Sequence, residues 1–310
     1  MEIKALRRIM RSRSWHKPTK QTLAKLVTIL EQPEGNRRPL IDQVYTVWYL
    51  GDDILCRQIL EHLAECPLTE HEQQQIDILL STRHWIDGQI PKMHQHLQRS
   101  IRFLSSQLQE QERGIPFAQS LGRHLVLLLN SLVPSRYRLP QGAERRRIDF
   151  IGDSHVLAPA NLVQALGPDL YQVRSHYVPG VKLWHVIQEP APRYRVGMRN
   201  SVAACAGPDA FVVFSVGEID CRPNAGFYNA VRRGDYAVGA IPVLVERYLE
   251  RLEVCRNHGF ARIGIWSIPA PREDVLDQIK ADKDLACDIV AIVSDTLRRG
   301  AAARGFVFFD

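Results

Sequence analysis

"IDFIGDSHV", residues 148–156, decides how the second half of this chain folds. Ile148 to Ile151 make a short, mostly apolar run, and Gly152, Asp153, Ser154 and His155 break it. An apolar run of strand length bounded by glycine reads as a buried strand that turns sharply into a helix. Ser154 then falls at a helix N-terminus, where free amides and the helix dipole favour developing negative charge. That place suits a nucleophilic hydroxyl, and it equally suits an N-cap.

Four more apolar runs follow in order: "YQVRSHYV" (171–178), "AFVVFSV" (210–216), "RIGIWSI" (262–268) and "FVFF" (306–309). Helical patterns separate most of them: "LAPANLVQAL" (157–166), "MRNSVAACAG" (198–207), "IPVLVERYLERLEVCRNHG" (241–259) and "DLACDIVAIVSDTLRRGAAARG" (284–305). Alternating strands and helices predict an α/β domain with a five-stranded parallel sheet and right-handed crossovers. The third and fourth runs are almost continuously apolar, as expected for strands covered on both faces. Ligands of such sheets bind beyond the carboxyl ends of the strands, so the residues directly after each strand carry the functional information.

Residues 1–138 read differently. Segments such as "DILCRQILEHLAE", "EQQQIDILLSTRHWI" and "IPKMHQHLQRSIRFL" repeat apolar positions at intervals of three and four, which predicts helices. Gly51, Pro67, Gly88 and Gly114 punctuate them, and Asp52 and Thr69 are candidate N-caps. "VWYLGDDILCRQILEHL" (47–63) aligns loosely with "RHWIDGQIPKMHQHLQRSI" (83–101), with the turn glycines Gly51 and Gly88 standing 37 residues apart. The pattern resembles degenerate tetratricopeptide repeats; a non-repetitive helical bundle is the other reading. Residues 139–146, within the Pro- and Arg-rich "PSRYRLPQGAERRR" (134–147), form the expected linker, and the α/β domain covers 147–310.

The loop after the second strand holds Gly180, Lys182, Trp184 and His185. Gly180 can offer an unhindered backbone amide to an oxyanion, and Lys182 can bind an anionic group. A glycine turn with a snorkelling lysine is the structural alternative. After the third strand come Gly217, Glu218, Asp220 and Arg222, a density of charge that suits either ligand binding or an ion-paired loop. "PAPRED" (269–274) follows the fourth strand, where its prolines block a helix and shape a wall.

Together these blocks resemble the SGNH, or GDSL-like, hydrolase superfamily over residues 147–310. The resemblance implies a flavodoxin-like sheet with Ser154 as nucleophile. It also implies an oxyanion hole from the amides of Ser154 and Gly180. Asp153, His155, Lys182, His185, Gly217, Glu218, Asp220 and Arg222 would surround the substrate. Two departures stand out. Where the family's third block carries an asparagine donor this chain has Ile219, followed by Asp220. The family's Asp-x-x-His after the fifth strand has no counterpart before Asp310, so the expectation is a truncated form of a longer enzyme. The other readings are lost catalysis or a different histidine, His185, in the role of base. His155 is a poor base, because the next residue on a helix points away from Ser154.

Bulk properties narrow the classes. The formal net charge is +6. Residues 1–20 carry seven Lys or Arg against one Glu and account for it, which suits a solvated arm better than a nucleic-acid surface. No apolar run is long enough to span a bilayer, and no secretory signal opens the chain. Cys56, Cys66, Cys205, Cys221, Cys255 and Cys287 form no CxxC pair, which predicts reduced thiols, a cytoplasmic protein and no metal site. The expectation is a serine esterase or acyl transferase without a cofactor, acting on an acylated carbohydrate or lipid. Its helical half would dock a protein partner. The alternative is a non-catalytic scaffold binding a sugar or anion. A phosphate or nucleotide binder ranks last, because no G-x-G-x-x-G or P-loop lysine is present.

Overall fold

The computed structural model describes residues 53–100, 117–131 and most of 145–310, with a few isolated positions before residue 53. The basic arm, Gly51, Asp52, residues 101–116 with Gly114, the linker up to residue 144, residues 271–275, Cys255 and His258 lie outside the described residues. The chain divides into two compact units: Met1–Arg145 with Leu157–Gln172, and Arg146–Val156 with Val173–Asp310.

In the first unit α1 (Asp53–Ala64), α2 (Glu70–Ile86), α3 (Ile90–Arg99) and α4 (Phe117–Ser131) are helical. Thr69 caps α2 in a capping box: its Oγ1 accepts from the Glu72 amide, and the Glu72 carboxylate accepts from the Thr69 amide at 2.9 Å. Gly88 takes φ +71 after α2, and Pro91 sits in the first turn of α3. From Gln75 to Ile86 every residue of α2 is buried, so its polar groups need partners inside the unit. Ser81 donates to the Asp77 and Met93 carbonyls, and Arg83 is held by Asp53 at 2.9 Å and by Asp87. Segment 157–172 belongs here too, because the Trp85 indole donates to the Leu157 carbonyl at 2.7 Å and the Asn161 amide donates to the Trp85 carbonyl.

The strands are β1 (Arg146–Gly152), β2 (Val163–Leu166), β3 (Asp169–Tyr177), β4 (Phe211–Ser215), β5 (Arg262–Trp266) and β6 (Val307–Phe309). Their order is β2-β3-β1-β4-β5-β6. β1, β4, β5 and β6 pair in parallel, whereas β2 and β3 form an antiparallel hairpin. The sheet is therefore six-stranded and mixed, which corrects the plain five-stranded parallel sheet expected above. The difference lies in "LAPANLVQAL", expected as a helix. Pro159 and the positive φ of Asn161 (+65) break it, and Val163–Leu166 pairs instead with 169–172. A two-residue loop starting at Gly167 (φ +63) closes that hairpin, a conformation glycine takes without steric cost.

The second unit adds α5 (Leu183–Ile187), α6 (Arg193–Cys205), α7 (Glu218–Cys221), α8 (Gly226–Arg232), α9 (Ile241–Glu253) and α10 (Lys283–Ala303). The remaining expected helices appear as α6, α9 and α10. Val212, Val213 and Phe214 of β4 are wholly buried, and Phe150 meets Trp266 edge to face at 4.9 Å. Among the described residues no helix is long and apolar enough to cross a membrane.

Three strands bring their carboxyl ends together. The Val178 amide donates to the Gly152 carbonyl at 2.7 Å, which sets the end of β3 beside the end of β1. Gly152 pairs with Ser215 on the other side. A Cβ at Gly152 would lie 1.9 Å from the Ser215 carbonyl oxygen, so only glycine allows this approach. The loops after β1, β3 and β4 consequently open at one place.

Candidate active site at the carboxyl ends of β1, β3 and β4

The turn after β1 is fixed by Asp153. Its amide donates to the Ser215 carbonyl at 3.3 Å, and the residue is 1% exposed. Its Oδ1 accepts from the His155 amide at 3.0 Å, closing an Asx-type turn at the head of the short 3-10 helix Ser154–Leu157. The capping role that the sequence left open for Ser154 thus belongs to Asp153. Ser154 is half-buried, and none of these turn contacts uses its hydroxyl.

Asp153 Oδ1 also meets His155 Nδ1 at 2.9 Å, and Glu218 Oε2 stands 4.0 Å from the same nitrogen. Burial works against a charge on His155. The hydrogen bond and charge of Asp153, with the charge of Glu218, outweigh burial and the opposing charge of Arg222 and raise the imidazole pKa. Glu218 opens α7 and is gripped through both oxygens by Arg222 Nε at 2.8 Å, one turn later in the chain. Gly217 precedes it at φ +129, and a Cβ there would come within 2.8 Å of the Ile268 side chain. Asp153, His155 and Glu218 each offer one metal-ligating atom, all within 4.8 Å of one another.

Asp220 faces the other way. It is 2% exposed, and its carboxylate accepts from the Leu183 amide at 2.7 Å and the Trp184 amide at 3.5 Å, at the head of α5. Burial pushes its pKa up to about 7 against those two amides and the charge of Lys182, with Asp153 adding repulsion. Its placement ties the loop after β4 to the loop after β3, and Gly226 keeps it there, since a Cβ on Gly226 would lie 2.1 Å from the Asp220 carbonyl.

His185 is held by its own loop. Nδ1 accepts from the Lys182 amide at 3.1 Å, and the ring stacks on Tyr194 at 3.9 Å. Burial, then the charges of Lys182 and Arg193, lower its pKa to about 4, so it is a neutral, anchored ring at neutral pH. Gly180 takes φ +67 in the same loop, Lys182 is half-buried, and Trp184 is 44% exposed. The structure therefore gathers Asp153, His155, Glu218 and Arg222 into one cluster, joins Asp220 to the Leu183 and Trp184 amides, and gives His185 a separate set of partners. Only Pro269 and Ala270 of the proline loop lie within the described residues.

Sequence reasoning missed a second cluster. His176 Nε2 meets Asp149 Oδ1 at 2.9 Å and Cys205 Sγ at 3.2 Å, and all three residues are buried. Arg147 Nε binds the other Asp149 oxygen at 2.7 Å, and Arg174 stands at 3.7 Å. With Asp149 already neutralised by arginine and closed to solvent, this is a buried polar network joining β1, β3 and α6. Its sequence signal was the polar alternation within β1 and β3, where Asp149 and His176 interrupt apolar runs.

The first cluster has the chemistry of an acid–base and charge-binding site: a hydroxyl without a partner in its turn, an imidazole between two carboxylates, and a guanidinium behind one of them. Compared with known proteins, the chain matches no protein-family model, no curated protein and no solved structure.

Proposed function

We propose that the second unit is an SGNH-type serine ester hydrolase or acyl transferase acting on an acylated carbohydrate or lipid. The observation that carries this reading is Ser154 itself: a half-buried hydroxyl just beyond the carboxyl end of central strand β1, relieved of the capping role by Asp153. The strand order supports it as well. With β2 left aside, β3-β1-β4-β5-β6 is the 2-1-3-4-5 order of flavodoxin-like sheets, whose switch point lies at the ends of β1 and β4. In this reading Ser154 gives up its proton and bonds to the acyl carbon while the amides of Ser154 and Gly180 hold the oxyanion. The acyl–oxygen bond then breaks, the alcohol leaves with a proton, and water or a second alcohol takes the acyl group from Ser154. Lys182, Trp184 and Arg222 line the approach. The helical unit docks a protein partner.

A second reading is favoured by one observation. Ile219, whose side chain cannot donate a hydrogen bond, stands where an oxyanion donor is expected. A site of that kind binds a sugar or anion without turning it over.

Turnover separates the two. The full chain is assayed on p-nitrophenyl acetate and on acetylated polysaccharide, beside Ser154→Ala. The esterase reading expects the variant to lose about a thousandfold or more in kcat. Equal turnover by both proteins, or none by either on any acyl ester, refutes it.

A further inference from the structure

We propose that Asp153, His155 and Glu218 form a binding site for a first-row divalent cation such as Mn²⁺ or Zn²⁺. The inference goes beyond the ester reading, because occupancy by an ion does not require Ser154.

The first ground is geometry. His155 Nδ1 lies 2.9 Å from Asp153 Oδ1 and 4.0 Å from Glu218 Oε2. Oxygen and nitrogen ligands sit about 2.0–2.2 Å from such ions, so neighbouring ligand atoms stand about 3 Å apart. The Asp153–His155 pair already has that spacing, and a small movement of Glu218 completes a three-ligand face. The second ground is independent of the cluster's composition. Asp153 is 1% exposed, and among the described residues its Oδ2 has no hydrogen-bond partner. A buried carboxylate oxygen without a donor is costly unless a positive charge reaches it. This one belongs to a carboxylate whose other oxygen is directed at His155.

Charge and support agree. With a neutral imidazole, two carboxylates and the Arg222 guanidinium leave one net negative charge for a divalent ion to meet. Arg222 grips both Glu218 oxygens, the kind of outer partner that orients a metal-binding carboxylate. Asp153 is fixed by the hydrogen bond that its amide donates to the Ser215 carbonyl. One imidazole with two carboxylates suits Mn²⁺, Fe²⁺ or Zn²⁺ better than the all-oxygen preference of Mg²⁺ or Ca²⁺. Three protein ligands leave coordination positions open, as in sites where a metal meets substrate or water. The buried Asp149–His176–Cys205 group lacks this fit, since Arg147 already occupies Asp149 and the cluster is closed to solvent.

The test uses the full chain after treatment with EDTA. Mn²⁺ is titrated by electron paramagnetic resonance and Zn²⁺ by calorimetry, with no substrate present. The expected result is one ion per chain, with affinity at least tenfold weaker in Glu218→Gln and in His155→Ala, and unchanged in Ser154→Ala. Glu218→Gln preserves shape at a half-exposed position, so its melting temperature serves as the folding control. Absence of binding by the folded wild-type chain, or affinity unaffected by Glu218→Gln and His155→Ala, overturns the site. Either result leaves the ester reading standing, and loss of turnover in Ser154→Ala with the ion retained separates the two.

Discussion

Replacing Gly152 by alanine tests the close approach of β1 and β4 on which the site depends. The new Cβ would stand 1.9 Å from the Ser215 carbonyl oxygen and 2.7 Å from its carbonyl carbon. Real Cβ contacts do not fall below 3.0 Å, so at least 1.1 Å of separation must be found between two backbones. Neither side is a flexible side-chain tip. Parting the strands also stretches the hydrogen bond from the Asp153 amide to the Ser215 carbonyl, already 3.3 Å long. Overpacking costs about 1–3 kcal/mol and the hydrogen bond adds about 1 kcal/mol, so a loss of about 3 kcal/mol is expected. For a unit of about 150 residues that lowers the melting temperature by roughly 6–12 °C. Gly207→Ala is the control, because nothing lies within 4 Å of a Cβ there. The assay is thermal unfolding followed by near-ultraviolet circular dichroism. If Gly152→Ala melts within a degree or two of Gly207→Ala, the β1–β4 register and the turn built on it are wrong.

Two more outcomes follow from the buried polar groups. Asp149→Asn removes the charge that Arg147 and His176 surround, and urea unfolding should show a loss of about 2–4 kcal/mol; an unchanged midpoint contradicts the network described for β1, β3 and α6. His84 and His185 both have pKa values lowered to about 4, chiefly by burial, so between there and the ordinary imidazole value of 6.5 the unfolded chain binds protons that the folded chain refuses. Stability is therefore full above pH 6.5 and falls as the pH drops toward 4; the urea midpoint should be lower at pH 5 than at pH 7.5, and His84→Leu should shrink that difference, whereas an undiminished difference refutes the assignment for His84.

The parallel strands were legible because burial on both faces forces continuous apolar runs, as in Phe211–Ser215 and Arg262–Trp266. β2 was not. Its four residues are exposed or half-buried, and the decisive signals are the positive φ of Asn161 and Gly167, which periodicity does not register. The positions of the site residues were legible from the rule that ligands gather beyond strand ends, but their directions were not. Arg222, just past the end of α7, reaches back to Glu218 at its start, whereas Asp220 between them turns inward to the amides of α5. The sequence also gave no sign that Asp153, rather than Ser154, would cap the turn, because both residue types serve as caps. Asp149, His176 and Cys205 come from three elements far apart in the chain, and only the tertiary fold brings them together. The same holds for Glu218 beside Asp153 and His155, which is why no metal site was expected from residue spacing.

The central claim is that Ser154 is a nucleophile and not a structural serine. The most direct measurement treats the full chain with a fluorophosphonate probe and maps the adduct by mass spectrometry of its peptides. The account predicts one adduct on Ser154, absent from Ser154→Ala and from heat-unfolded protein. A folded chain that takes up no probe, or labels equally after Ser154→Ala, contradicts it.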